Sequence, residues 1–253
     1  LNGRRVNQSP PLGRWGNRLL AALPHQTMAR LQHELFHVSL PQGAVCFDAG
    51  EPVDRVYFPT SGLISLLIAT DKHELVEAGL IGREGAAGLQ SAIGRRTSFV
   101  RAIVRVQGLF AAIAAEPLRR SIEMSAEAAS LVTRYTEILW AEAQQLAACN
   151  AVHAALPRLA RWLLLSADRL GSDQLILTQD LLGEVLAIRR TSVSLLAQEL
   201  QERRLIKYRR GRITIIDRGA LEGCACECYR VIRDLYRALP ARPEDESGNA
   251  ARA

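Results

Sequence analysis

The chain has 253 residues, of which 48% are hydrophobic and 23% charged, as expected for a globular protein with one large or two modest domains. The formal net charge of +6 is compatible with a polyanionic partner but does not require one. No apolar run approaches the ~20 residues of a membrane-spanning helix, and the first residues lack the apolar core of a secretory signal. We therefore expect a cytoplasmic protein without a membrane partner, whose five cysteines are reduced thiols.

The N-terminal half changes from helical to strand-like sequence. Residues 1–16 are rich in Pro, Gly and Asn and are expected to form a flexible arm. A helical pattern interrupted at Pro24 follows. From Phe36 onward, short apolar runs alternate with turn signals such as Pro41-Gln42-Gly43. Strands at this spacing predict an antiparallel β-roll or barrel, which we place at residues 17–124.

A long amphipathic helix is predicted next, over residues 125–150. The stretch from Glu116 to Asn150 contains no glycine. Its apolar stripe must be buried somewhere, and a second copy of the helix is the simplest partner. A helix that packs on its own domain is the open alternative. The residues expected at the dimer interface are Leu131, Tyr135, Ile138, Leu139 and Leu146.

The segment 151–236 has the pattern of a winged helix-turn-helix. Pro157 opens a helix that ends at Gly171, and Thr178 is a good N-cap for the next one. A tight turn at 187–189 leads to a second apolar stripe, and residues 206–216 read as two strands around a glycine-containing turn. Such a module places its second helix in the major groove of DNA. The polar tail 241–253 is expected to be disordered.

Candidate DNA contacts lie on the second helix of this pair and on the basic hairpin. Guanidinium and short hydroxyl side chains suit base edges and phosphates. Ser192, the hydroxyl of Thr178 at the N-cap of the first helix and the hairpin cations are expected to contact and position the DNA backbone. The predicted DNA-binding residues are Thr178, Arg189, Arg190, Thr191, Ser192, Ser194, Lys207, Arg209, Arg210 and Arg212.

The order of these segments resembles the Crp/Fnr family of bacterial transcription regulators. The N-terminal resemblance rests on Leu40-Pro-Gln-Gly43, Phe47-Asp-Ala-Gly-Glu51, Val56-Tyr-Phe58, Ser61-Gly62, Gly82-Arg-Glu-Gly85 and Phe99-Val-Arg-Ala102. The C-terminal resemblance rests on Leu177-Thr-Gln179, Arg190-Thr-Ser-Val193 and Leu205-Ile-Lys-Tyr208. It implies an α+β protein with a cyclic-nucleotide-binding-like roll, a dimerisation helix and a winged helix-turn-helix.

The same resemblance implies function. It implies a homodimer that binds a two-fold site on double-stranded DNA, and it is compatible with RNA polymerase as a further partner. Arg190 and Thr191 stand at the positions that contact bases in the family. The third such position holds Leu195, which can touch a thymine methyl group but cannot form a hydrogen bond. The operator is therefore expected to differ from the best-known sites of the family.

The effector pocket departs from the family pattern. Nucleotide-binding relatives carry a Gly-Glu pair and then Arg-Ser-Ala or Arg-Thr-Ala, which hold ribose and cyclic phosphate. The resemblance places Glu84, Arg96, Thr97 and Ser98 at this pocket. However, Arg83 stands where the binders have glycine, and the spacing is longer. We expect the ligand to be lost or different, and DNA binding not to require cyclic AMP.

No cofactor, metal or catalytic site is predicted. The N-terminal cysteine group that holds an iron–sulfur cluster in redox-sensing relatives is missing, because no cysteine precedes Cys46. The run Cys224-Ala-Cys226-Glu-Cys228 is not a standard zinc spacing. If the run is helical, Cys224 and Cys228 share a face while Cys226 points elsewhere, and all three are interpreted as packing thiols. The histidines have no haem-attachment spacing.

An enzyme is not expected, because the sequence contains no P-loop, G-x-S-x-G or H-E-x-x-H motif. One alternative function from another class stays open. In it, the chain senses a small molecule and acts through protein contacts, with a degenerate helix-turn-helix. The basic hairpin and Arg190 favour DNA.

Overall fold

The structure is a computed structural model that describes residues 5–6, 15–70, 75–94 and 96–239. Most of the tails predicted at 1–16 and 241–253 therefore lies outside the described residues. The predicted flexible arm at residues 1–16 is corrected at its end, because residue 15 belongs to the folded core. Trp15 is buried, and its ring lies 4.8 Å from the ring of His37, because its indole completes the apolar core beside the first helices.

Two four-stranded antiparallel sheets form the N-terminal roll. Their strand orders are β1-β2-β8-β4 and β3-β7-β5-β6. The expected β-roll is thus confirmed, although its last hairpin begins at Arg101 rather than at Phe99. The strands are β1 (Arg5–Val6), β2 (Phe36–Leu40), β3 (Val45–Phe47), β4 (Arg55–Pro59), β5 (Leu63–Ala69), β6 (Leu75–Ile81), β7 (Arg101–Val106) and β8 (Gly108–Ala114).

Helices flank and follow the roll. Among the described residues, no helix combines the length and the apolar character needed to cross a membrane. The first five are α1 (Arg18–Ala21), α2 (His25–Leu31), α3 (Gln90–Ile93), α4 (Ala115–Glu123) and α5 (Ala126–Val152). The C-terminal elements are α6 (Ala155–Leu170), β9 (Gln174–Ile176), α7 (Gln179–Leu186), α8 (Arg190–Glu202), β10 (Ile206–Arg209), β11 (Arg212–Ile215), α9 (Arg218–Cys224) and α10 (Cys228–Arg237).

The local signals for helix ends act as expected. The Ser125 side chain accepts a hydrogen bond from the backbone N–H of Ala128 and so begins α5. Pro157 lies in the first turn of α6, where its missing N–H costs nothing. Gly171 ends α6 in the left-handed conformation, with φ of +65°.

The long helix α5 packs on its own chain, which corrects the predicted dimer interface. Tyr135 is fully buried, and its hydroxyl accepts a hydrogen bond of 2.9 Å from the Ala86 amide of the roll. A Cβ on Gly85 would lie 2.1 Å from the Tyr135 hydroxyl oxygen, so glycine is needed for this close approach. The rest of the predicted stripe faces the same intramolecular core: Leu131, Ile138 and Leu146 are buried, and Leu139 is half-buried against it.

Arg169 of α6 joins the roll, α5 and the C-terminal helix in one buried cluster. Its guanidinium donates to both carboxylate oxygens of Glu142 on α5, at 2.9 and 3.0 Å. Its Nε lies 3.3 Å from a carboxylate oxygen of Glu84 in the roll, and its cationic carbon lies 4.9 Å from the centre of the Tyr236 ring. Two buried carboxylates share one buried cation, so loss of Arg169 would leave both of them unpaired.

A second buried polar cluster joins the roll to α6. The Trp162 indole donates a 2.7 Å hydrogen bond to Glu77, which also accepts one from Ser65. Arg105 donates to Ser65 at 3.1 Å and pairs with Glu184 of α7 at 2.8 Å. The helix-turn-helix is therefore held against the roll by polar contacts as well as by apolar packing.

Candidate nucleic-acid interface and ligand cavities

The helix-turn-helix is formed by α7 and α8. Thr178 caps α7, since its hydroxyl accepts a 3.2 Å hydrogen bond from the Leu181 amide. A Cβ on Gly183 would lie 3.0 Å from the Ile188 carbonyl oxygen, so a small residue is needed where the turn crosses the helix. Ala187 makes the turn itself with a φ of +53°, a strained conformation for a residue with a side chain.

The second helix, α8, buries one face and exposes the other. Val193, Ala197 and Leu200 are buried against α7 and α6. On the outer face Thr191 is exposed, the Arg190 side chain is 66% exposed and Leu195 is 69% exposed. The three residues that the family resemblance assigns to base contact therefore share the solvent face.

The N-terminal end of α8 has open backbone donors. Arg189 is the N-cap residue, and no side chain caps the first turn. The first amides of a helix lack intrahelical partners and carry the positive end of the helix dipole, so this end suits a phosphate. The carboxylate of Asp180 lies 3.5 Å from the Arg190 guanidinium and would have to release it to an anion.

The two serines of the predicted set differ in environment. Ser194 is half-buried and donates 3.0 Å to the Gln179 side chain, which braces α8 against the start of α7. Ser192 is half-buried and lines an open groove between α8 and the roll strand β6, with Leu75 and Val76 on the opposite wall.

The wing is a twisted hairpin of β10 and β11, extended by β9. Arg210 and Gly211 turn the chain with φ values of +49° and +72°, as in the hairpin turn that matches strand twist. The Tyr208 hydroxyl donates 3.1 Å to the Leu177 carbonyl and ties the wing to the beginning of the helix-turn-helix. All four predicted wing cations are exposed: Lys207, Arg209, Arg210 and Arg212.

The roll contains a cavity of about 390 Å³ between α3 and the loop before β7. Its walls include Phe47, Val53 and Leu66, with Thr97 and Ser98 at the loop. None of the described residues that line it is charged. A neutral, largely apolar molecule suits these walls better than a cyclic phosphate does.

The structure does not bring Glu84 and Arg96 together, which corrects the predicted effector pair. Glu84 is buried, accepts a 2.9 Å hydrogen bond from the Gly82 amide and faces Arg169; burial raises its pKa, and the Arg169 charge opposes that shift. Arg96 is exposed and pairs at 2.7 Å with Glu116 of α4. The loop thus turns Arg96 outward, so only Thr97 and Ser98 of the predicted set line the roll cavity.

Glu84 instead lines a second cavity, of about 230 Å³, at the junction of the roll with α6 and α10. Sequence reasoning missed this site, because its members come from four separated segments. Its lining is mostly basic and consists of Arg18, Arg83, Glu84, Leu165, Asp168, Arg169, Arg233, Tyr236 and Arg237.

The cysteine run is not a continuous helix, which corrects its predicted facing. It spans the break between α9 and α10, so Cys226 and Cys228 turn inward together while Cys224 lies apart beside Arg203. Cys226 and Cys149 share a hydrogen bond of 3.5 Å between their sulfur atoms. That contact, together with burial, raises the pKa of Cys149 to about 12, and the same contact lowers the pKa of Cys226.

The comparisons with known proteins agree with this architecture. Residues 157–224 match the family of Crp-like helix-turn-helix domains. No curated protein matches the chain. Solved structures with the same fold include FixK2 from Bradyrhizobium japonicum, with a TM-score of 0.67 and 15% identity over 76% of this chain and 98% of that one.

Two further structures extend the likeness. A CRP-family transcriptional regulator from Thermus thermophilus has a TM-score of 0.61 and 20% identity, over 75% of this chain and 98% of that one. The c-di-GMP-responsive global regulator CLP from Xanthomonas campestris has a TM-score of 0.53 and 20% identity, over 76% and 99%. The chain thus has the fold of Crp/Fnr transcription regulators and carries a Crp-like helix-turn-helix domain, as the sequence resemblance predicts.

Proposed function

We propose that this protein is a homodimeric transcription regulator that binds a two-fold DNA site, with one α8 helix of each protomer in the major groove. The observation that carries this proposal is the shared exposure of Arg190, Thr191 and Leu195 on the solvent face of α8, beside the basic wing. Three of the chemical types that read bases are present: a guanidinium, a hydroxyl and an apolar group.

Phosphate contacts accompany this base-reading face. We assign them to the uncapped first turn of α8, to Thr178, Arg189 and Ser192, to the wing cations, and to Ser194 if its hydroxyl exchanges Gln179 for a phosphate. Half or more of the hydrogen bonds to DNA go to phosphate and sugar, and they fix the helix in register without reading sequence. The wing contains four exposed cations within six residues, which predicts a steep dependence of affinity on salt.

Dimerisation is assigned to the outward face of α5. The face predicted from the apolar stripe is used inside the chain, whereas Trp140 on the opposite face is 66% exposed. Thr133, Ala147 and Ala148 share the exposed side of α5 with it. These small residues lie about two turns from Trp140, and the exposed side chains nearest to it are Glu137 and Gln144. A symmetric pair of helices that cross at Trp140 would bury both indoles.

Cyclic AMP is not expected to control this dimer. A cyclic phosphate needs a cation in the roll cavity, and Arg96 is held outside it by Glu116. The described cavity walls offer the neutral polar residues Gln90, Ser91, Thr97 and Ser98, and the other side chains that line it are apolar. The proposed effector is therefore a neutral or weakly polar small molecule.

Selection of bound sequences from a random DNA pool, by the purified protein with and without small metabolites, tests this proposal. We expect one palindromic motif whose half-sites lie about one helical turn, ~34 Å, apart. Gel shifts at two salt concentrations should show weaker binding at the higher one. No enrichment and no binding at low salt would refute DNA recognition and favour action through protein contacts.

A further inference from the structure

We propose that Cys149, His153, Cys226 and Cys228 form a binding site for a single zinc ion that joins the end of α5 to the start of α10. Their ligand atoms all lie within 4.8 Å of one another. Three thiols and one imidazole are a donor set that zinc takes in structural sites. The site is separate from the DNA-binding face and from both cavities.

The distances match a tetrahedral ion. With Zn–S bonds of ~2.3 Å and Zn–N bonds of ~2.0 Å, tetrahedral angles place two sulfurs about 3.8 Å apart and a sulfur and a nitrogen about 3.5 Å apart. The sulfurs of Cys149 and Cys226 are separated by 3.5 Å, and the Cys228 sulfur lies 3.7 Å from His153 Nδ1. The other ligand atoms lie up to 4.8 Å apart, so some side chains must move by about 1 Å to surround one ion.

The backbone explains why these residues converge. Cys149 and His153 are one helical turn apart, at the last turn and the C-cap of α5. Cys226 lies in the bend between α9 and α10, and Cys228 is the first residue of α10. The ligands therefore come as two close pairs from segments 73 or more residues apart, an arrangement in which one ion cross-links two elements.

The residues around the four ligands also suit a bound metal ion. His153 turns Nδ1 inward and directs Nε2 to the carboxylate of Glu227, at 3.1 Å. An imidazole that binds a metal through one nitrogen commonly donates its other N–H to a carboxylate. Gln145 donates a 3.0 Å hydrogen bond to the Cys228 sulfur, as expected beside a thiolate ligand.

A buried cation balances the charge of the site. Three thiolates and Zn²⁺ carry a net charge of about −1. Arg161 is buried, its Nε has no hydrogen-bond partner among the described residues, and its charge acts on Cys149 and Cys226. Core packing of small thiols explains their burial, but it does not explain the inward imidazole, the carboxylate behind it or the nearby arginine.

Metal content of the untagged full-length protein, purified under reducing conditions and incubated with zinc, tests the proposal. We expect one zinc per chain by mass spectrometry and a lower Tm after chelation, because the ion binds only the folded arrangement. Cobalt in place of zinc should show thiolate charge-transfer bands and the strong visible bands of a tetrahedral site. Failure to retain zinc, or an iron–sulfur spectrum instead, would overturn the proposal.

The chain offers matched controls for the variants. Cys228→Ser and His153→Ala should lose stoichiometric zinc, whereas Cys224→Ser, two residues from a proposed ligand, should retain it. Because a ligand variant can also fail to fold, Glu227→Gln supplies a milder change at an exposed residue. It should keep one zinc per chain but weaken the affinity about 10–100-fold. Equal affinity in Glu227→Gln and wild type, or loss in Cys224→Ser, would contradict the assigned site, as would a Cys149–Cys226 disulfide in the reduced preparation.

Discussion

Replacing Trp140 with alanine is the sharpest test of the proposed dimer interface on α5. An aromatic side chain can bury ~150–250 Å². With 66% of Trp140 exposed, roughly 100–165 Å² per protomer is available to a partner. At ~25 cal/mol per Å², full burial of both indoles would contribute about 5–8 kcal/mol to the dimer. Alanine keeps part of the contact, and side chains at the edge of the interface remain exposed to water. We therefore expect the dimer to lose about half of this free energy, ~2.5–4 kcal/mol.

This loss corresponds to a dimer dissociation constant raised on the order of 10²–10³-fold. Sedimentation equilibrium over a range of concentrations measures it directly. DNA binding provides a second readout, because affinity for the palindrome should fall while affinity for an isolated half-site stays unchanged. Ile216→Ala is the matched control: Ile216 is 58% exposed but lies after the wing, away from α5.

Leu146→Glu separates this interface from the one that the apolar stripe predicts. Leu146 is 5% exposed within the chain, so a carboxylate there should unfold the protein rather than yield folded monomers. A Trp140→Ala protein that dimerises as tightly as wild type would refute the assignment of the outward face. So would a Leu146→Glu protein that remains folded and monomeric.

Four further outcomes are expected. Arg190→Ala should cost about 1–3 kcal/mol on the selected site and far less on random DNA; equal losses on both would make it a phosphate contact. Arg210→Ala in the wing should weaken binding to all DNA sequences alike and reduce the slope of log affinity against log salt concentration by about one unit. An unchanged slope would mean that the wing does not contact DNA. Calorimetry should detect no cyclic AMP binding, and micromolar binding abolished by Arg96→Ala would contradict the outward position of that residue. Burial raises the pKa of Glu77, so the stability that its protonated form contributes is lost as pH rises from the ordinary carboxyl range through the raised pKa. In a variant whose only tryptophan is Trp162, fluorescence should follow the titration of Glu77. Fluorescence that does not change with pH would contradict this prediction.

Local signals in the sequence are sufficient for most of the fold. Caps, glycines and apolar periodicity depend on neighbours within one or two turns, so Ser125, Thr178 and Gly171 mark helix ends correctly. The exposed face of α8, to which we assign base contacts, follows in the same way, since the buried stripe of an amphipathic helix fixes the opposite face.

Long-range partners are where sequence reasoning fails. The stripe on α5 correctly predicts that a face is buried, but periodicity does not say against what, and the roll occupies it through Tyr135. Arg96 fits a family position by order along the chain, but in the fold it is exposed and pairs with Glu116 outside the cavity. The zinc ligands were missed for a related reason: Cys149 and His153 have a helical ligand spacing, but their partners are far away in the sequence.

The central helix is where these sites meet. On one side α5 contacts the roll through Tyr135 and the buried Arg169 cluster through Glu142, and on the other it presents Trp140. Its C-terminal turn carries two of the proposed zinc ligands.

In a dimer built on α5, any tilt of this helix alters the distance between the two α8 helices, whereas the DNA half-sites are fixed about 34 Å apart. A ligand in the roll, or zinc at the helix end, changes DNA affinity only to the extent that it favours one tilt. By linkage, DNA must then change the affinity for that ligand by the same factor. Zinc affinity measured with and without the selected operator therefore shows whether the ion only fastens α10 to α5 or also takes part in regulation.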